Sequence, residues 1–260
     1  MDMELEKYVK ATKEIIWNAY SEIEAALMER DTALENLKVS GWKFSEDGIS
    51  KERESIISKF NTDTQTAVAN CRAAIQKQKD GYMKEVHDYY TPDGSKIDLN
   101  LMNLIKAGFQ MSIDELIELI EKYSDNPTML RVIEKYAAEQ KMIGELNKKS
   151  ADYAVAFMKA RNAGKAEEKI FDTFVHLSCE GMRHPDEHYT MFQSRLDGYE
   201  EDAVLSLLKA KIYKDDATQQ RIDQIEAEQL QKHNDVRKGK FWKPEITITR
   251  KTFESRKNPW

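Results

Sequence analysis

An all-α fold is what this sequence of 260 residues predicts, on three observations. Apolar residues recur on three- and four-residue steps through the first ninety positions. Glycine and proline, which punctuate elements, number only 10 and 5. Charged residues make up 33% against 40% hydrophobic, a balance suited to long solvated helices. The expected architecture is a long N-terminal antiparallel coiled-coil hairpin (1–90), a helical domain (91–238) and an extended basic aromatic C-terminal arm (239–260).

Each element has its own signal. Ile16, Ala19, Ile23, Ala26, Ala33 and Leu37 trace a coiled-coil seam, with Arg30 the one charged interruption. After Gly41 and Gly48 the rhythm resumes at Ile57, Phe60, Thr64, Ala67, Cys71, Ala74 and Gln78. A helix of roughly 38 residues is about 57 Å long, which supplies reach rather than chemistry. A connection of about ten residues is too short for a parallel return, so the two helices pack antiparallel. Between Ser40 and Ser50 a glycine permits the reversal, and Asp47 or Ser50 is placed to cap the second helix. Trp42 and Phe44 at this tip fit a small cluster tucked under the loop, or a contact for a partner.

Tyr89-Tyr90-Thr91-Pro92-Asp93-Gly94 ends the hairpin as a turn in which proline presets φ and Gly94 takes a positive φ. A short apolar run, Ile97 to Ile105, follows. Ser112 and Glu115 form a capping box ahead of Leu116, Ile117 and Ile120. Asn126 caps the next helix, with Pro127 at its first position and Met129, Leu130 and Ile133 on its buried face. Ser150 starts a long helix through Tyr153, Val155, Ala156 and Met158 to Phe171, Phe174 and Val175, kinked at Asn162-Ala163-Gly164. His184-Pro185-Asp186-Glu187 opens another helix, Ala203 to Ile212 forms one more, and Ile222 to Val236 a last polar one stopped by Gly239.

The tail differs in kind. Residues 240–260 hold six Lys or Arg against Glu245 and Glu254, about +4, while the whole chain is −6. Phe241, Trp242, Phe253 and Trp260 stand among them, around an alternating Ile246-Thr247-Ile248-Thr249 core. That pattern suits an extended arm that adds to a sheet edge or lies in a groove. Trp42, Phe44, Phe241, Trp242, Ile246, Ile248, Phe253 and Trp260 are therefore the candidate interaction residues.

Chemistry has few footholds. His176, Cys179, His184 and His188 bring four zinc-ligand types into thirteen residues. His184, however, doubles as a cap before Pro185, and His176 and Cys179 sit one turn apart on an apolar helix face, so the cluster reads as a helix corner. No phosphate loop, dinucleotide fingerprint, zincin motif or nucleophile elbow occurs. Glu200-Glu201-Asp202 reads as a solvated face, and Tyr189, Phe192 and Tyr199 as core. The expectation is a protein that is not an enzyme, with no catalytic residue, cofactor or metal. Two cysteines are too few for a disulfide framework and imply a reducing compartment. An acidic N-terminus without an apolar run excludes a signal peptide, and no stretch reaches the about 18 apolar residues of a membrane span. The chain is expected to be soluble and intracellular when made.

At Thr91-Pro92-Asp93-Gly94 and Asp125-Asn126-Pro127-Thr128-Met129-Leu130 the chain resembles structural-region proteins of phages and prophages of Gram-positive bacteria. These pair a coiled-coil hairpin with a similar turn and helix start, and the resemblance spans roughly residues 1–145. It implies a head- or tail-associated protein and carries over no catalytic residue. The expected function is a non-enzymatic phage structural or assembly protein acting by multivalent protein–protein contacts. Its partners are then other virion subunits or copies of itself, as a homo-oligomer, without membrane and, given the acidity, without nucleic acid. The host cytoplasm during assembly, and the virion, are the expected locations. The alternatives are a phage-encoded inhibitor of a host defence or regulatory protein and, third, a metal-dependent hydrolase.

Overall fold

The computed structural model describes residues 5–181, 189–212, 214 and 216–237. The chain divides into two units, Met1–Asp215 and Asp216–Trp260. Every regular element among the described residues is helical, and none of these helices is long and apolar enough to cross a membrane. The tail read as an extended arm lies outside the described residues.

Helices α1 (Glu6–Ser40) and α2 (Glu46–Tyr90) form the antiparallel hairpin. Its direction is plain from three levels of pairing. Lys7 meets Glu85 at 2.5 Å at the base, the Arg30 guanidinium lies 4.7 Å over the Phe60 ring midway, and Gly41 faces Ile49 at the tip. At 45 residues α2 is about 67 Å long.

The seam follows the coiled-coil spacing on α1, where Ile16, Ala19, Ile23 and Leu37 are buried. On α2 the reading needs one correction. Ile57 is 38% exposed, and Ile56 turns inward instead. A straight helix at 3.6 residues per turn drifts against a 3.5-residue repeat, so the inward face moves by one position along so long an element. The turn also differs from expectation. Ser45, rather than Asp47 or Ser50, caps α2 by accepting from the Gly48 amide at 3.2 Å. The chain reverses through a 3-10 turn, Gly41–Lys43, with Gly41 at an ordinary φ of −58°. Gly94 likewise takes no positive φ; Asp93 caps a second 3-10 turn, Gly94–Lys96, by accepting from the Ser95 amide at 2.8 Å.

After this turn come five short helices: α3 (Leu99–Lys106), α4 (Ile113–Lys122), α5 (Pro127–Glu139), α6 (Ile143–Lys149) and α7 (Ala151–Arg161). They close around Leu116, Met129, Leu130, Ile133 and Leu146, all essentially without exposure. The capping box is present in full, with Ser112 and Glu115 each serving the other's amide. Asn126 accepts from the Met129 amide at 3.1 Å, and Ser150 accepts from Asp152 at 3.1 Å.

The long helix expected from Ser150 is instead two. Ala163 and Gly164 adopt φ of +50° and +79°, a left-handed pair that ends α7 and lets α8 (Lys165–Gly181) start in a new direction. Val155 and Met158, named along that run, are exposed. Conversely, α9 runs unbroken over Tyr189–Ala210 and absorbs the separate helix expected from Ala203. Gly198 inside it costs only about 1 kcal/mol relative to alanine, too little to stop a well-packed helix. Phe171 and Phe174 of α8 and Ala203 and Leu207 of α9 pack with Tyr82 and Val86 at the base of the hairpin. Above them Phe192 and Leu196 pack with Ile16, Tyr20 and Cys71, Tyr20 and Phe192 stacking at 4.1 Å between centroids. Lys13 reaches across to Asp197 at 2.6 Å and to Glu200. In the second unit, α10 spans Asp216–Arg237.

Seam position decides the cost of a charge. Ile23 is 5% exposed, so Ile23→Asp is expected to cost roughly 3 kcal/mol or more. Phe60→Asp is expected to cost well under half of that, because the site is half-buried and Arg30 is at hand to pair with the carboxylate. Urea melts followed by far-UV circular dichroism separate the two; equal losses contradict this assignment of the seam.

Candidate protein-contact site

Beyond Ile23 and Ala67 the hairpin continues toward its tip with Leu37 as the one further buried large side chain among the described residues. Positions Ala26, Ala33, Ile56, Phe60 and Thr64 are half-buried. From Ile23 to Gly41 this outer part is about 27 Å long. Two helices alone cannot enclose a side chain completely. The outer hairpin therefore presents a continuous, partly apolar edge.

Its tip exposes two apolar side chains among polar ones. Val39 is 72% and Phe44 50% exposed. The Phe44 amide donates to Gly41 at 3.0 Å, which sets the ring at the end of the reversal rather than beneath it. Trp42 lies in the same 3-10 turn, and its side chain is outside the described set. Phe241, Trp242, Ile246, Ile248, Phe253 and Trp260 fall outside the described residues altogether. Of the sequence-derived contact residues, Phe44 is thus the one whose side chain is placed, and it faces solvent.

The base of the hairpin is fastened by a buried polar group that the sequence reading missed. Tyr82 donates to the Glu167 carbonyl at 2.6 Å, and Tyr90 donates to Glu167 Oε1 at 2.5 Å. Glu167 is only 4% exposed. Burial first, and then the Glu167 charge, hold both phenols protonated far above the usual tyrosine range. Gly164 allows this approach, since a Cβ there would stand 2.0 Å from Val86 Cγ1. In sequence, Glu167 is one charged position inside the run read as a single helix from Ser150. Beside it, Lys159 donates to the carbonyls of Lys209 and Lys211 at 3.0 and 2.6 Å, closing the end of α9; burial, then Lys214, pushes its ammonium pKa down. These groups hold helices together and are turned away from solvent.

The zinc-type cluster is divided. His184 and His188 lie outside the described residues. His176 is exposed and 3.6 Å from Glu180, and Cys179 sits against the apolar cluster that contains Cys71. Burial, with Cys179 close by, pushes the Cys71 thiol up to about 11. No group of three or more metal-binding side chains is assembled among the described residues.

The two motifs that carry the resemblance meet in space. The Asp93 amide donates to Thr128 Oγ1 at 3.2 Å, and Asn126 Nδ2 donates to the Lys96 carbonyl at 2.8 Å. Tyr89 donates to Asp125 at 2.8 Å, while the Asp98 amide points at the Met129 sulfur at 3.3 Å. The turn and the helix start thus form one clasp joining α2 to α5, and their polar groups are spent on each other. Compared with known protein families, curated proteins and solved structures, the chain matches none.

Proposed function

We propose that this chain is a non-enzymatic phage structural or assembly protein, head- or tail-associated, that works by multivalent contact with other virion subunits or copies of itself. The observation that supports this reading is the outer hairpin: about 27 Å of half-open seam ending in the exposed Val39 and Phe44. A helical pair that leaves its own seam half open gains by burying it against another protein, and burial of apolar area drives such association. The polar groups of the clasp and the Tyr90–Glu167 fastening serve the fold. Assembly takes place in the host cytoplasm, and the protein stays with the particle.

Particles purified by density gradient from lysates of the phage or prophage host are the test. The protein is expected to co-sediment with particles in a fixed, symmetric copy number. Its absence from particles, together with recovery in complex with a host protein, would instead support the inhibitor reading.

A further inference from the structure

Two hollows open along the outer hairpin where alanines occupy seam positions. The first, about 380 Å³, is lined by Ala25, Ala26 and Ala67 together with Glu22, Glu29 and Asp63. The second, about 220 Å³, shares Ala26, Glu29 and Asp63 and adds Ile56, Phe60 and Glu52, with the cations Arg30 and Lys59 also on its rim. Their charges are unevenly matched. Glu29 is paired with Lys59, and Arg30 is engaged by Asp31 at 2.6 Å. Glu22 and Asp63 have no ion pair among the described residues and are exposed. Positions 21–66 as a whole hold ten Asp or Glu against six Lys or Arg, a net −4. The outer hairpin is therefore a row of apolar hollows with an acidic rim.

Charge chooses among the possible occupants. A second outer hairpin would set one −4 surface against another, which opposes association. The complementary chemistry is on the chain itself. Residues 240–260 carry six basic side chains against two acidic ones, interleaved with Phe241, Trp242, Phe253 and Trp260. Rings fill space that alanine leaves, and Lys or Arg answer unpaired carboxylates at the rim.

We infer that the hollows along the outer hairpin are the docking site for residues 240–260 of a second copy of this chain. The inference rests on the assembly reading and gives it a mechanism. A tail of one copy on the hairpin of the next is a contact between two different surfaces, which closes as a reciprocal tail exchange or a ring, or runs on as a filament.

The test uses full-length chains, half of them isotope-labelled, and a zero-length reagent that couples carboxylates to amines. Coupled peptides are expected to join Glu22 or Asp63 to Lys240, Lys243, Lys251 or Lys257, with light and heavy chains mixed. Glu22→Lys combined with Asp63→Lys alters two exposed positions, so the melting temperature should hold. Self-association measured by sedimentation should weaken by roughly tenfold or more, and a peptide of residues 240–260 should compete with it. Coupling confined to chains of one isotope, association indifferent to the charge reversal, or a chain that stays monomeric overturns the inference. Association that survives both the charge reversal and removal of residues 240–260 overturns the docking but leaves the assembly reading standing. Particles that lack the protein overturn the assembly reading itself.

Discussion

Above about pH 10 the protein is expected to lose roughly 3 kcal/mol of stability per pH unit through Tyr82 and Tyr90 together. An unfolded tyrosine releases its proton near pH 10. In the fold, burial first and the Glu167 carboxylate second keep both phenols protonated well beyond that point. Over this alkaline range the native state binds two protons that the unfolded state has lost. Stability therefore falls as pH rises, and below the unfolded pKa the contribution is complete and flat. Urea midpoints across about pH 8 to 12 measure the slope. Several other tyrosines are shifted upward as well, so the decisive quantity is the difference from Tyr82→Phe/Tyr90→Phe. That double variant should start less stable at neutral pH, because the buried Glu167 loses two donors. Its alkaline slope should be shallower by the stated amount. Parallel slopes for the two proteins would show that these phenols titrate normally and that the fastening is wrongly drawn.

Gly164→Ala is the substitution expected to do most damage for its size. Two separate costs meet there. A left-handed φ of +79° disfavours any L side chain by about 1–2 kcal/mol. The new Cβ would also lie 2.0 Å from Val86 Cγ1, and such overpacking costs about 1–3 kcal/mol more. A total of about 2–5 kcal/mol corresponds to a melting temperature lower by roughly 5–15 °C for a unit of this size. Gly108 is the matched control, with φ of +76° and open space around the position of a Cβ. Gly108→Ala should therefore show the backbone cost alone. If calorimetry finds the two variants equally destabilised, α8 does not approach α2 as closely as described.

What could be read from the chain itself were the features decided within a few residues. The capping box of Ser112 and Glu115, the Asn126–Pro127 start and the Ser150 cap all stand as their spacing indicates, because a cap needs only an amide two or three positions away. The all-α class and the antiparallel hairpin were legible for a related reason: a repeated short spacing accumulates over many turns until no other structure buries it. Ile56 and Ile57 show where that ends. Periodicity names the face, but drift along a long helix moves it by a residue.

The remaining decisions belonged to neighbours distant in sequence. Ala163-Gly164 reads as a kink in one helix until Val86 and Tyr90 stand against it. Glu167 reads as a solvated acid until Tyr90, 77 positions away, donates to it. Thr91-Pro92-Asp93-Gly94 and Asp125-Asn126-Pro127 are separate punctuation in the chain and a single clasp in space. Phe44 obeys the same rule from the other side: its sequence surroundings fit a ring tucked under the loop or an open one, and it is exposed. Burial is a property of what arrives from elsewhere. Local pattern therefore determined the helical class and the strongly capped starts at Ser112, Asn126 and Ser150, whereas only tertiary packing decided that α7 and α8 part at Gly164, and which side chains the helices enclose and which they leave exposed.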